Sequence, residues 1–256
     1  MHGQTTCGFG YVRSTNEYKV IRIHYIDYEG GEVEVYTLGS GCGWRAIGRV
    51  SDVLSGSSGG RGTYANDVIY WILSSKVVAF DLVHEEFRSL CVPCCMHNLR
   101  YQDRFGLVVL GRHLCLYIDD IKVRVKIWSL MESTDSETWR MECDIDYKSV
   151  RGSGARKLQP ILLGKNGGIV LLFAASVLYS YDPKTTYLKM ISNKASADYF
   201  KHVEAAAHIN MFASLEATGE NSKKYTVRPR RWDDVIEELD RVSLEEEVDT
   251  TRFRLK

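Results

Sequence analysis

Apolar and polar residues alternate along short segments through most of the first 190 residues of the chain. In residues 18–25 (Tyr-Lys-Val-Ile-Arg-Ile-His-Tyr) successive side chains fall on opposite faces and β-branched residues are frequent, which favours a β-strand over a helix. Turn sequences such as Ser74-Ser75 and Asn166-Gly167 separate neighbouring segments. The pattern predicts antiparallel strands joined in sequence by short turns.

One pattern occurs four times: an apolar strand with a central aromatic residue, a turn, and a large apolar residue followed by a basic one. The aromatic centres are Tyr36, Phe80, Trp128 and Tyr181, about 44, 48 and 53 residues apart, which is typical of β-propeller repeats. The apolar–basic pairs are Trp44-Arg45, Phe87-Arg88, Trp139-Arg140 and Leu188-Lys189. We therefore predict an all-β fold of four stacked antiparallel sheets, with the aromatic residue between sheets and the base either outward or capping a turn. The alternative is that the pairs are exposed anchors of a binding surface.

The pattern changes after residue 191. Between residues 232 and 242, apolar residues recur at helical spacing opposite a run of acidic residues, which predicts an amphipathic C-terminal helix. We therefore predict a domain over residues 1–218 and a charged extension over residues 219–256 that carries the helix. This helix either packs on the domain or forms a solvated acidic tail; the alternative is a docking helix for a partner.

The charge and hydropathy of the chain argue against nucleic acid and membranes as partners. The 33 Lys and Arg residues balance 33 Asp and Glu residues, so no overall field attracts nucleic acid or an anionic membrane. The longest apolar stretch, residues 169–179, is too short to span a bilayer, and the first residues lack a signal-peptide pattern. We expect a cytoplasmic or nuclear protein that binds neither nucleic acid nor membrane.

Seven cysteines, an odd number without the spacing of a secreted scaffold, predict free thiols. The sequence Cys91-x-x-Cys94-Cys95-x-His97 is the one cluster with metal-like spacing. A structural zinc site normally has four ligands, often as two spaced pairs, and no second pair lies nearby in the sequence. We therefore favour a reduced loop and predict no metal.

No set of residues with a catalytic pattern emerges. Asp119-Asp120 and Asp144-x-Asp146 are paired in sequence only, and neighbours on a strand face opposite ways, so we interpret them as acids of hairpin turns. The glycine-rich residues 56–62 lack the Lys-Ser/Thr ending and the following helix of a phosphate-binding loop. We predict a protein that is not an enzyme, with no catalytic, cofactor-binding or metal-binding residues.

Several motifs together resemble one family. They are residues 8–11 (Gly-Phe-Gly-Tyr), 16–22 (Asn-Glu-Tyr-Lys-Val-Ile-Arg), 33–38 (Val-Glu-Val-Tyr-Thr-Leu), 64–71 (Tyr-Ala-Asn-Asp-Val-Ile-Tyr-Trp) and 125–131 (Val-Lys-Ile-Trp-Ser-Leu-Met). In this order and spacing the chain, over about residues 8–215, resembles the plant F-box-associated domain. The resemblance implies a kelch-related, β-propeller-like domain, as a closed or an incomplete ring, that holds a target protein while an N-terminal F-box attaches to the adaptor of a cullin-RING ubiquitin ligase.

From this resemblance we expect a substrate-recognition module of an SCF-type E3 ubiquitin ligase complex, without cofactors. One expected partner is a target protein. No F-box precedes Gly8, so the ligase adaptor is expected as a second partner only if an F-box is supplied. The alternatives are a propeller-type small-ligand-binding protein or enzyme, and a truncated F-box paralogue that no longer joins the ligase. The resemblance identifies no partner-binding residues. We expect binding through loops at one end of the stack, with residues 56–62, 91–104 and 132–138 as candidates, although each is equally explained as a surface insertion.

Overall fold

Four-stranded antiparallel sheets account for nearly all of the regular structure in the part of the chain that the structure describes. The computed structural model describes residues 3–26, 30–54, 61–101, 103–120, 124–132, 137–148, 158–164, 167–173 and 177–193. The predicted C-terminal helix and the predicted domain boundary at residue 218 lie outside these ranges.

Each sheet is a meander in which neighbouring strands follow one another in the sequence. Sheet 1 contains β1 (Gln4–Val12), β2 (Glu17–Tyr25), β3 (Gly31–Thr37) and β4 (Trp44–Val50). Sheet 2 contains β5 (Thr63–Ala65), β6 (Val68–Ile72), β7 (Lys76–Asp81) and β8 (Glu86–Cys91). Sheet 3 contains β9 (Arg104–Leu110), β10 (His113–Asp120), β11 (Arg124–Glu132) and β12 (Glu137–Asp146). Sheet 4 contains β13 (Leu158–Leu163), β14 (Ile169–Phe173), β15 (Val177–Asp182) and β16 (Tyr187–Asn193).

The sheets contact one another in sequence order. Strand β1 contacts β5 and β6, strands β5 and β6 contact β9, and strands β9 and β10 contact β13. A parallel bridge joins Cys7 to Arg61, just before β5, so the first strands of sheets 1 and 2 run in the same direction. This arrangement, with the first strand of each sheet nearest the next sheet, is that of propeller blades and confirms the predicted all-β stack.

Each interface between neighbouring sheets, here called a seam, contains a separate hydrophobic cluster. Strand β6 is buried at all five positions because its side chains alternate between two seams. Ile69 and Trp71 pack toward sheet 1, whereas Val68 and Tyr70 pack toward sheet 3. Sheet 3 is likewise buried on both faces, with Leu116 facing sheet 2 and Ile127 facing sheet 4. Burial on both faces explains why these strands are continuously apolar in the sequence.

Two of the family-like motifs have a local structural role. A Cβ atom on Gly10 would lie 2.4 Å from Leu82 Cδ1 and 2.5 Å from Tyr64 Cδ2, so only glycine lets β1 approach sheet 2 this closely. In the β5–β6 turn, Asn66 and Asp67 have φ values of 49° and 65°. These positive values are those of the tight hairpin turn in which Asn and Asp are favoured.

The prediction that the aromatic centres lie between sheets is confirmed for three of the four. Phe80, Trp128 and Tyr181 are buried, and each faces the preceding sheet. The prediction is wrong for Tyr36, which is half-buried on the outer face of sheet 1, where its ring lies 5.5 Å from that of Trp44. The reason is positional: within the described residues, sheet 1 has no preceding sheet for Tyr36 to pack against.

The basic residues of the repeat do more than point outward. Arg45 donates hydrogen bonds of 2.7 Å to both carboxylate oxygens of Glu85 in the β7–β8 turn. Arg88 of sheet 2 pairs with Glu137 of sheet 3. Arg140 instead pairs with Glu142 of its own strand. Arg45 and Arg88 therefore each connect the outer strand of one sheet to the next sheet.

Candidate protein-binding site

The loops of the stack lie at two opposite rims because successive strands alternate in direction. The sheet-to-sheet connections and the turns between the second and third strands of each sheet form one rim, here called the connector rim. The turns between the first and second and between the third and fourth strands form the other, the hairpin rim. Of the candidate loops, residues 56–62 and 91–104 belong to the connector rim and residues 132–138 to the hairpin rim. The described strand ends that flank the three loops therefore do not lie at one end of the stack.

Of these loops, the connection from β8 to β9 is the one described almost completely. Of the other two, residues 56–60 and 133–136 lie outside the described residues. The connection contains a 3-10 helix, Cys94–Asn98, which begins after Pro93 and is closed by a 2.9 Å hydrogen bond from Met96 N to Pro93 O. Val92 and Met96 are buried in the seam between sheets 2 and 3. These two apolar anchors hold the start of the connection on the body of the protein.

The tip of the connection is tied by two local hydrogen bonds. The backbone N–H of Arg100 donates to Asp103 Oδ2 at 2.8 Å, and that of Asp103 donates to Arg100 O at 2.9 Å. Between them, the side chain of Tyr101 is fully exposed. An aromatic residue held in water by an anchored loop gives a binding surface a large contact area at a small cost in conformational entropy.

A cleft of about 310 Å³ lies beside this tip, between the connection and strands β10 and β11. The residues that line it and bear on its chemistry are Cys95, Arg100, Asp103, Asp120, Lys126 and Trp128. The indole of Trp128 belongs to the hydrophobic cluster of the same seam, so the cleft has an apolar base and a charged rim. Such a cleft is large enough for one side chain of a partner and too small for a folded element.

The charges around the cleft differ in how they are satisfied. Asp103 accepts the Arg100 backbone hydrogen bond, and Asp120 accepts one of 3.2 Å from the backbone N–H of Arg124. Within the described part of the chain, the side chains of Arg100 and Lys126 make no hydrogen bond or ion pair. The carboxylates of the cleft are therefore engaged, whereas its cations are available.

The thiols near the cleft differ in how far they are buried. Burial and the neighbouring Cys94 raise the pKa of Cys95, against a smaller opposing effect from the charge of Lys126. Cys91 and Cys94 are exposed, and all seven cysteines are free. Among the described residues, no group of three or more His, Cys, Asp or Glu side chains is placed to hold a metal ion.

The interpretation of the paired acids as hairpin-turn residues is wrong for Asp119. Its side chain is buried, and it accepts hydrogen bonds from the Tyr147 hydroxyl and, at 3.0 Å, from the backbone N–H of Leu158. Burial raises the pKa of Asp119, although the two hydrogen bonds act in the opposite direction. Asp119 thus joins sheet 3 to the first residue of β13 and is an internal acceptor.

Two other acids, Asp144 and Asp146 of β12, lie on the surface of sheet 3. The guanidinium of Arg124 is 2.9 Å from Asp144 Oδ1 and 3.4 Å from Asp146 Oδ2. These carboxylates neutralise a neighbouring cation and do not converge on a cavity. Their role in the fold is therefore an ion-pair network.

Comparison with known families assigns the four-sheet architecture. The family described as "F-box associated beta propeller domain" matches residues 2–214, which is most of the chain. The chain belongs to this family. The resemblance inferred from the motifs around Gly10 and Asn66 is thereby confirmed.

Two curated proteins of Arabidopsis thaliana are similar to the chain. The "F-box protein At3g07870" is 26% identical over 247 residues, covering 80% of this chain and 59% of the relative. The "F-box protein CPR1" is 25% identical over 197 residues, covering 66% of this chain and 47% of the relative. The F-box associated chain thus spans about half the length of these curated relatives.

Among solved structures, the crystal structure of HIRA(644-1017) has a TM-score of 0.40 and 12% identity, covering 94% of this chain and 68% of that one. A likeness at this level has no bearing on function. Within the described residues, no helix has the length and apolar character needed to cross a bilayer.

The sequence analysis named residues 91–104 as a candidate loop and Trp128 as an aromatic centre, but it did not predict that they border one cleft. Lys126 and Trp128 lie within a family motif, but their place beside a cleft depends on a connection some 30 residues earlier in the chain. A signal for Tyr101 does exist: it is an isolated aromatic residue in the polar segment Asn98 to Arg104. An aromatic residue in such a polar connection is a candidate for exposure.

Proposed function

We propose that this F-box associated domain is the substrate-receptor part of an SCF-type cullin-RING E3 ubiquitin ligase. It is a non-catalytic module that holds a target protein at the connector rim. Its partners are that target and, through an F-box, the ligase adaptor, in the cytoplasm or the nucleus. The family match and the names of the two relatives as F-box proteins support the ligase connection.

The observation that supports the connector rim as the target-binding surface is the presentation of Tyr101. Its backbone is fixed by the reciprocal hydrogen bonds of Arg100 and Asp103, while its ring makes no contribution to the buried core. A residue of this kind adds little to folding. Its ring is placed to contact a partner, and aromatic side chains dominate the binding energy of protein interfaces.

The test is a comparison of target capture by three forms of the full chain from a plant extract, with quantitative mass spectrometry of the bound proteins. The forms are the unmodified chain, Tyr101→Ala, and the matched control Tyr187→Ala, which removes an exposed tyrosine at the start of β16 by the hairpin rim. Proteins held by the unmodified chain and the control should be lost from Tyr101→Ala by about tenfold or more. Equal capture by all three forms would exclude the connector rim.

The ligase role has a separate test. A chimaera is made by fusing the F-box region of the F-box protein At3g07870 to the N-terminus of this chain. It should transfer ubiquitin to a captured target when the remaining ligase subunits are present. The same chimaera carrying Tyr101→Ala should not. If the chimaera binds the adaptor and the target but transfers no ubiquitin, the receptor role is wrong even though the chain binds a protein.

A further inference from the structure

The positive and negative side chains of the cleft beside Tyr101 differ in whether they have hydrogen-bond partners. The two carboxylates, Asp103 and Asp120, accept hydrogen bonds from backbone N–H groups. The two cations, Arg100 and Lys126, have no hydrogen bond or ion pair within the described residues. An anion that enters the cleft would therefore meet two available donors.

Lys126 is the more informative of the two cations because it is half-buried, whereas Arg100 is exposed. Its register partner on the neighbouring strand is Asp144, but that carboxylate is held by Arg124 at 2.9 Å. The Lys126 side chain is partly buried and has no carboxylate partner among the described residues, so an incoming anion would supply the counter-charge that its ammonium group lacks.

The remaining lining limits the kind of anion. Trp128 and Ile118 give the cleft an apolar base, which suits the methylene groups of an amino-acid side chain. The formal charges of Arg100 and Lys126 balance those of Asp103 and Asp120. Asp103 and Asp120 repel any incoming anion, and they repel a doubly charged phosphate more strongly than the singly charged carboxylate of an aspartate or glutamate.

We propose that this cleft binds an aspartate or glutamate side chain of the target protein, in a peptide segment whose neighbouring apolar residue packs on Tyr101. The proposal rests on the proposed function, since the acidic segment belongs to the target. Lys126 provides the charge-assisted hydrogen bond to the carboxylate, Arg100 adds to the positive potential at the entrance, and Trp128 contacts the side-chain methylenes.

The experiment is the selection of a random dodecamer peptide library on the immobilised full chain. The peptides that are enriched should contain Asp or Glu within one or two positions of an aromatic or aliphatic residue. One enriched peptide is then synthesised in three forms: with its acidic residue, with the matching amide, and with phosphoserine. The unmodified chain should bind the acidic peptide about tenfold or more tightly than the amide form, as expected for loss of a charge-assisted hydrogen bond.

Variants of the chain identify the group responsible. Lys126→Gln should bind the acidic and amide peptides equally, and Lys126→Arg should retain the preference for the acid. The matched control Lys184→Gln removes a lysine in the β15–β16 turn on the hairpin rim and should behave as the unmodified chain. The melting temperatures of the four proteins verify that each is folded.

Several results would overturn the proposal: peptides enriched without acidic residues, a preference that survives Lys126→Gln, or tighter binding of the phosphoserine form than of the acidic one. Its failure is separable from that of the proposed function. If Tyr101→Ala loses the target from extract while Lys126→Gln retains it, the connector rim is the receptor surface but the acidic specificity is wrong. If Tyr101→Ala retains the target, the proposed function fails as well.

Discussion

The ammonium group of Lys19 in sheet 1 lies 3.0 Å from the carboxylate of Glu85 in the β7–β8 turn of sheet 2. Lys19 also donates a 2.8 Å hydrogen bond to the backbone carbonyl of Leu82. The side chains of Lys19 and Glu85 are only 10% and 16% exposed, so the seam between the first two sheets contains an ion pair that is largely removed from water. Such a pair adds little stability by itself, but the removal of one partner leaves the other poorly compensated.

Replacement of Lys19 with methionine should therefore destabilise the protein. The variant leaves the Leu82 carbonyl without its donor, while Arg45 continues to neutralise Glu85. We expect the free energy of unfolding to fall by about 1–3 kcal/mol, measured by urea denaturation. The matched control is Lys148→Met. The Lys148 side chain is 67% exposed and its ammonium lies 3.9 Å from Asp146, so this variant should lose less than about 0.5 kcal/mol. Equal losses in the two variants would contradict the role of the seam.

The pH dependence of stability should show the effect of Glu85. Partial burial would raise the pKa of Glu85, but hydrogen bonds and positive charge from Arg45 and Lys19 outweigh it and hold the pKa below its usual 4.5. A carboxyl group with a lowered pKa in the folded state stabilises the protein above the unfolded pKa, and this contribution is lost as the pH falls through the folded pKa. The difference in unfolding free energy between the unmodified chain and Glu85→Gln should be constant near neutral pH and decline toward zero below about pH 4.5. A constant difference at all pH values would contradict this assignment.

The contribution of Asp119 to folding stability should change with pH in the opposite direction to that of Glu85. Because burial raises its pKa above the usual 3.8, the folded protein binds a proton at this site more readily than the unfolded chain does. As the pH falls through the raised pKa, the unmodified chain should gain stability relative to Asp119→Asn, measured by the same denaturation series. A relative loss of stability over that interval would show that the hydrogen bonds from Tyr147 and Leu158 outweigh burial.

Phe80 and Tyr36 occupy the same position of the repeat but should differ in their contribution to stability. Phe80 is fully buried in the seam between sheets 1 and 2, so Phe80→Ala should cost about 3–5 kcal/mol of unfolding free energy. Tyr36 lies half-buried on the outer face of sheet 1, beside Trp44, which is 41% exposed. Tyr36→Ala should cost less than about half as much. A similar loss for both would mean that the outer face of sheet 1 is covered.

Thiol reactivity should separate the buried cysteines from the exposed ones. Burial raises the pKa of both Cys115 and Cys143 to about 12, so almost no thiolate is present at mildly alkaline pH. Iodoacetamide followed by peptide mapping should label the exposed Cys42 and Cys94 first, and Cys115 only when the protein unfolds. Labelling in denaturant is the control, where all sites should react at similar rates. Native-state labelling of Cys115 as fast as Cys42 would contradict its burial.

The strands and their grouping could be predicted from the sequence because the information is local. The turn at Ser74-Ser75 and the apolar runs on either side of it specify the β6–β7 hairpin within fifteen or so residues. The repeat of aromatic centres then indicates that the hairpins stack. Alternation specifies which side chains share a face of a sheet, but it does not reveal whether another sheet covers that face. Tyr36 is the example, because it occupies the repeat position of Phe80 but lies on a face that no described sheet covers.

The features that could not be predicted depend on contacts distant in the sequence. Asp119 resembles a turn acid beside Asp120, but its environment is set by Tyr147 and Leu158, which lie 28 and 39 residues away. The candidate site has the same property, because Lys126 and Trp128 border a cleft only when the connection containing Arg100 crosses in front of them. Patterns of hydrophobicity do not predict such contacts between segments that are distant in the sequence.

The repeated orientation of Phe80, Trp128 and Tyr181, each toward the sheet before it, has an evolutionary consequence. Because each hydrophobic cluster is confined to one pair of adjacent sheets, a whole sheet can be duplicated or deleted at the end of the stack while the interior clusters keep their packing. Relatives of unequal length can then arise by the gain or loss of complete 45- to 50-residue units, about one repeat at a time, without redesign of the remaining core.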